Sequence, residues 1–206
     1  MPEPATAASA PAEPTSFPWA VGGLLFGLSV LVAAATVLLG VQPNDEGLML
    51  QAAARISSGE VPYRDFWWFY PPGQSYLLGG LWSLLGPSLL TWRIVRVLAD
   101  GAVAVLAWRL TGRRAGPRGA LVAWAVATLA MAYPSGPHPF PVALALGLGA
   151  LLLLERHPLW SGALVGVAAL WRIEFAAYIG AGVLVAYALR PGDRRERVTA
   201  AARFAA

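Results

Sequence analysis

Residues Gln74–Leu85, QSYLLGGLWSLL, decide how the rest of the chain is arranged. Leu77, Leu78, Leu81, Leu84 and Leu85 recur at i, i+1, i+4, i+7 and i+8, the spacing of one helical face, and Gln74, Ser75 and Ser83 interrupt the other. Pro72 suits a first helical turn and Gly86-Pro87 a stop. A dozen residues fall short of the about 20 that cross a bilayer, so this segment reads as an interfacial or re-entrant helix.

Outward from it lie the long apolar runs Trp19–Val41, Leu89–Leu110, Ala120–Tyr133, Phe140–Leu154 and Leu159–Leu189. Trp171-Arg172-Ile173-Glu174 interrupts the last run, which predicts two short helices meeting there. Of the 206 residues 57% are hydrophobic and 13% charged, against roughly a quarter charged in a soluble domain. Together these features predict an all-α polytopic transmembrane bundle of about six spans. Were residues 74–85 a further span, the cluster Arg113, Arg114 and Arg118 would fall outside, against the positive-inside bias. With that segment in the interface, the cluster, Arg156 and the run Arg190, Arg194, Arg195, Arg197 all fall inside. Both termini are then cytoplasmic, the chain is a multi-pass protein of the plasma (inner) membrane, and residues 42–91 form an external loop.

Residues 1–16 are rich in Pro, Ala, Glu and Thr and read as a disordered tail. They carry no Arg or Lys, and the following run exceeds a signal-peptide core of about 7–15 residues, which favours a retained first segment. Residues 17–190 form the main module, and residues 191–206 read as a basic tail or the start of a further helix. Cysteine is absent, which excludes disulfides and thiolate metal sites. All 15 basic residues are arginines placed between apolar runs, not gathered on one stripe, which argues against nucleic acid despite the net charge of +4. Neither a phosphate-binding P-loop nor a dinucleotide glycine fingerprint occurs.

The loop holds most of the reactive side chains. Asn44-Asp45-Glu46-Gly47 precedes a helical stretch that runs to Ser58 and ends at Gly59. Asp45 and Glu46 suit a helix start, where carboxylates are favoured. They equally suit a carboxylate that takes a proton from an acceptor hydroxyl or amine. Phe66–Tyr70 reads either as an interfacial aromatic belt or as faces that stack on a sugar or line a lipid-linked donor.

In order and spacing this stretch resembles the first external loop of the GT-C integral-membrane glycosyltransferases. The nearest branch holds the protein mannosyltransferases, the lipid A aminoarabinose transferase and the RgtA/B/C/D-like proteins. The matching positions are Asp45-Glu46, Gly59, Pro62-Tyr63, Asp65, Pro71-Pro72-Gly73, Gly86-Pro87-Ser88 and Arg93. The likeness covers residues 19–190 in layout and is motif-specific only over 45–96. It implies transfer of a sugar from a polyprenyl-phosphate carrier to a glycan, lipid or protein acceptor on the outer face. By that likeness Asp45, with Glu46 beside it, is the base or acceptor-positioning carboxylate, and Tyr63, Asp65, Tyr70, Pro71 and Pro72 belong to the acceptor loop. Two features depart from the pattern: Tyr70 stands where many relatives carry a basic residue, and the turn 133–140, in which many relatives place an Asp, has none and offers His138 as a donor or titrating group.

Arg172 and Glu174 lie inside an apolar run, where ionisable groups point to function. A guanidinium there suits a carrier phosphate through bidentate contacts. Arg93 and Arg96 share a helix face and suit the same phosphate, with His138 a further donor; Asp100 reads as a structural neutraliser of Arg96. Asp45, Glu46 and Asp65 together leave room for a divalent cation. Two rival functions fit the composition: a small-solute or lipid transporter or flippase, and a non-catalytic membrane partner subunit.

Overall fold

The computed structural model describes residues 19–39, 43–132, 140–189 and 193–206. The expected tail 1–16 and the turn holding His138 lie outside the described residues. The chain runs through helices α1 (Trp19–Ala34), α2 (Leu48–Ser57), α3 (Gly73–Leu85), α4 (Leu89–Met131), α5 (Phe140–Leu153), α6 (Pro158–Ala169), α7 (Ile173–Leu189) and α8 (Arg194–Ala205), with one π-helical turn at Pro43–Gly47. Among the described residues there is no strand, only an isolated bridge between Pro62 and Phe66. The all-α expectation holds.

The helix ends follow local chemistry. Gly59 at φ +93° closes α2, a conformation that costs an L side chain and not glycine. The Ser88 hydroxyl caps α4 by accepting from the Thr91 N–H at 3.2 Å. Within α4, Gly116 adopts φ 66°, ψ −176° just before Pro117, and the helix breaks there into limbs 89–115 and 117–131. The limbs fold back against α1: Phe26 and Val30 close on Gly101 of the first, and Ser29 Oγ meets Thr128 Oγ1 of the second at 2.8 Å. α5 packs on α4, α6 and α7, and α8 packs on α6 and α7. The α6–α7 break falls at Leu170–Arg172, where the sequence interrupts its apolar run. Residues Arg194–Ala205 form α8, with Phe204 buried against Tyr187.

The expected bundle of about six transmembrane spans is overturned. Among the described residues no helix is long and apolar enough to cross a membrane. The apolar runs outlast the helices they form. α1 has 16 residues, about 24 Å at 1.5 Å per residue, and unwinds at Ala35 well before its apolar run ends at Val41. α5, α6 and α7 stop at 14, 12 and 17 residues. The first limb of α4 is longer but carries Arg93, Arg96, Asp100 and Arg109.

The helix expected over 74–85 forms as α3, and the burial of its two faces is uneven. Gln74 and Ser75 are buried together with Leu78 and Gly79, whereas Tyr76, Leu77, Leu84 and Leu85 are exposed. Gly79 explains the choice: a Cβ there would lie 2.7 Å from Ile56 Cγ2, so α2 closes on this face because glycine lets it. Large apolar side chains also stay exposed on α1, α4, α6 and α7, among them Leu31, Leu129, Trp160 and Tyr178.

Candidate functional site

α1 ends without a capping glycine, and two arginines from α4 take over that task. Arg93 Nη1 donates to the carbonyls of Val37 and Leu39, the latter at 2.7 Å. Arg96 Nη2 donates to Thr36 Oγ1 at 2.7 Å and to the Ala33 carbonyl at 3.4 Å. Two guanidinium groups thus brace the turn that follows α1, and their positive charge near a helix C-terminus complements the dipole.

Arg93 also reaches forward. Its Nε and Nη2 donate to the two oxygens of Glu46 at 2.7 and 2.9 Å, a bidentate pair. Glu46 is fully buried and Arg93 is 5% exposed. Hydrogen bonding to Glu46 pushes the Arg93 guanidinium above its ordinary range. One arginine thus ties the end of α1, the π-turn and the start of α4 together. Of the two carboxylates in the expected catalytic pair, Glu46 is spent on this joint. Asp45, one residue earlier, is only half-buried, and no ion pair among the described residues engages it.

One helical turn further along α4, Arg96 and Asp100 approach at 3.6 Å, both almost fully buried. Neither Asp100 oxygen accepts a hydrogen bond. Burial pushes the Asp100 carboxyl up to about 7 against the pull of Arg96, and burial lowers the Arg96 guanidinium. Asp100 therefore neutralises Arg96 only in part.

Arg96 Nε and Nη1, Trp92 Nε1, Trp171 Nε1 and Gln74 Oε1 are likewise buried and unmatched. These residues line a crevice of about 10 Å³ where α3, α4, α5 and the α6–α7 junction converge. Sequence reading missed Gln74, Trp92 and Trp171. The one signal is Gln74, a polar residue opening an otherwise apolar helix on the face opposite most of its leucines.

The loop between α2 and α3 is a folded unit. The Val61 N–H donates to Asp65 Oδ2 at 2.7 Å, and Arg64 donates to both Asp65 oxygens. The Arg64 side chain, then the Val61 N–H, hold the Asp65 carboxyl down at about 2. Arg55 pairs with Glu60, donates to the Asp65 carbonyl and lies 4.5 Å over the Phe66 ring. Tyr63 sits at φ +66°, uncommon for a side chain of its size, and its hydroxyl donates to the Tyr70 carbonyl. Asp65 and Tyr63 thus shape the loop. Alternation then sorts the aromatics: Trp68 is 4% exposed and packs with Met49, Leu78 and Trp92, whereas Trp67 is 80% exposed and Phe69 lies beside it at 4.7 Å.

Pro71 and Pro72 lead into a contact invisible to sequence spacing. The Gly73 N–H donates to the Leu170 carbonyl at 2.7 Å, joining the loop to the α6–α7 junction. A Cβ on Gly73 would lie 2.7 Å from that oxygen and 2.8 Å from Trp171 Cε3, so only glycine fits. Arg172 follows at once. It is paired with Glu174, 28% exposed, with Phe175 6.0 Å away, and its hydrogen bond holds the Glu174 carboxyl below the usual range. The fold therefore brings Pro71–Gly73 beside Arg172, and Glu46 onto Arg93. Asp45, Glu46 and Asp65 are not gathered: among the described residues no group of three such side chains is placed to hold a metal ion. His138 lies outside the described residues. No family model, curated protein or solved structure matches the chain.

Proposed function

We propose that this chain serves transfer of a sugar from a polyprenyl-phosphate-linked donor to an acceptor hydroxyl at a lipid surface, with Asp45 as the acceptor base. The observation that carries the reading is the division of labour in the carboxylate pair. Glu46 is locked to Arg93 in the interior, which fixes the backbone of the π-turn. Asp45, on that same rigid turn, keeps access to water and no ion-pair partner among the described residues. A positioned carboxylate that can take a proton is what acceptor activation requires.

The chemistry balances with few groups. Asp45 takes the acceptor proton, the acceptor oxygen bonds to the anomeric carbon, and the bond from that carbon to the phosphate oxygen breaks. The carrier phosphate leaves with the electron pair, and its charge calls for a nearby cation. Arg172, part-exposed beside Pro71–Gly73, is the candidate, through guanidinium N–H groups that do not donate to Glu174. Trp67 and Phe69 offer exposed ring faces for a sugar, and the uncovered leucines of α1, α3 and α4 suit a lipid-linked donor.

The test is reconstitution of the full chain in liposomes with lipid-linked sugar and a hydroxyl acceptor. Asp45→Asn, nearly isosteric and half-buried, is expected to lower transfer by about 10²- to 10⁴-fold with little change in melting temperature. Undiminished transfer by that variant overturns the assignment. Lipid or solute flux without acceptor, unchanged in the variant, favours a transporter instead.

A further inference from the structure

Far from Asp45, where α4 turns back on itself at Gly116, a second feature has no part in the chemistry above. From Arg93 to Arg113 the first limb of α4 advances about 30 Å. There a groove of about 860 Å³ opens between the end of that limb, α5 and α7. This falls within the roughly 300–1,000 Å³ typical of small-molecule sites. Its wall is apolar, formed by Leu151, Ile179, Val183 and Ala186, and two arginines stand on its rim.

We infer that this groove binds one anionic phospholipid, an acyl chain along the α5–α7 wall and the phosphate against Arg113 and Arg114. The charge placement favours this occupant. Arg113 leans on the Leu152 carbonyl through both Nη atoms at 3.3 Å, long contacts that position it without neutralising it. Arg114 is exposed, and among the described residues neither arginine makes an ion pair. Glu155 is the one acidic residue on the rim, so the two arginines leave net positive charge at the mouth of an apolar cleft. Burial of the chain's methylenes and attraction of the arginines to the lipid phosphate add to one another. Headgroup and chain therefore act together, and a free anion meets only half of the site. Gly182 lines the same groove, and a Cβ there would meet nothing within 4 Å. The floor is open where a chain would lie.

The full chain in non-ionic detergent would be titrated with dioleoyl phosphatidylglycerol or dioleoyl phosphatidylcholine and read by native mass spectrometry. One phosphatidylglycerol per chain, retained about tenfold better than phosphatidylcholine, is expected. Arg113→Gln with Arg114→Gln should bring phosphatidylglycerol down to the phosphatidylcholine level. Gly182→Leu should lose both lipids with its melting temperature kept, since the new side chain enters open space and leucine favours a helix over glycine. That second variant keeps the test decisive even if the arginines also brace Leu152. Equal retention of the two lipids by the wild-type chain, or a preference that survives Gly182→Leu, overturns the proposal. Displacement of the lipid by millimolar inorganic phosphate overturns it as well, in favour of a small-anion site. Because Asp45 lies at the other end of α4, loss of lipid retention with transfer intact, or the reverse, tells the two proposals apart.

Discussion

Arg93 and Arg96 sit one turn apart on the same face of α4, both buried, both facing a carboxylate, yet their surroundings differ. Arg93 forms two short bonds to Glu46 and two to carbonyls of the turn that follows α1. Arg96 meets Asp100 only at 3.6 Å, and its Nε and Nη1 stay unmatched. Glu46 comes from a separate turn of chain free to rotate into the fork of the guanidinium. Asp100 is on the same helix as Arg96, four residues on, where the backbone holds it at the wrong distance. A buried pair gains from Coulomb attraction only when hydrogen bonds complete it, and otherwise its desolvation dominates. The first pair is a joint; the second is a charge kept in the interior at a cost.

The largest effect expected from breaking this contrast is at Glu46. Glu46→Ala strands the Arg93 cation in the interior and should lower unfolding free energy by about 3–5 kcal/mol, read by denaturant titration. A loss below about 1 kcal/mol would mean that the pair does not brace the π-turn. Replacing the second pair at once, Arg96→Met with Asp100→Leu, should be neutral or stabilising by about 1–4 kcal/mol in the same titration. The equivalent double replacement of Arg93 and Glu46 should destabilise, since it also uncovers the carbonyls of Val37 and Leu39.

Acidity sharpens the comparison further. The folded-state value of about 7 for Asp100 lies above the roughly 3.9 of an unfolded chain, so the native state keeps a proton that the unfolded state releases. Stability from this residue should therefore fall as pH rises from about 4 to about 7 and then level off. Asp100→Asn should abolish that fall, a change of a few kcal/mol at pH 8 visible as a raised melting temperature. Asp65, held at about 2, works the other way and loses its contribution only below about pH 4. The smallest effect is at Thr36, which accepts the only short hydrogen bond that Arg96 makes among the described residues. Thr36→Val should cost about 1 kcal/mol, with Arg96 falling back on the Ala33 carbonyl.

Helix positions were legible in the sequence wherever a local stop had been read: Gly59 after α2, Gly86-Pro87 after α3 and the Trp171–Glu174 interruption between α6 and α7, whereas the stretch between the runs 89–110 and 120–133 is helical up to the break at Gly116. Hydropathy alone overstated the reach of those helices, because an apolar run continues through turns such as Ala35–Leu39 that hydrogen bonding ends. Leucine spacing did not say which face of α3 is buried, and the structure buries Gln74, Ser75, Leu78 and Gly79. Close approach decides that face, and Gly79 and Ser75 allow it where leucines do not.

Sequence by itself determined an all-α chain, its main helix boundaries and Asp45-Glu46 as a carboxylate pair on the turn before α2, since these depend on neighbours within a few residues. Only the tertiary structure decided that Glu46 belongs to Arg93, that Gly73 docks on Leu170, and that Arg96 stands beside Gln74, Trp92 and Trp171. Those contacts join residues tens of positions apart, and distance through space, not along the chain, sets whether a charge is matched, stranded or free to react.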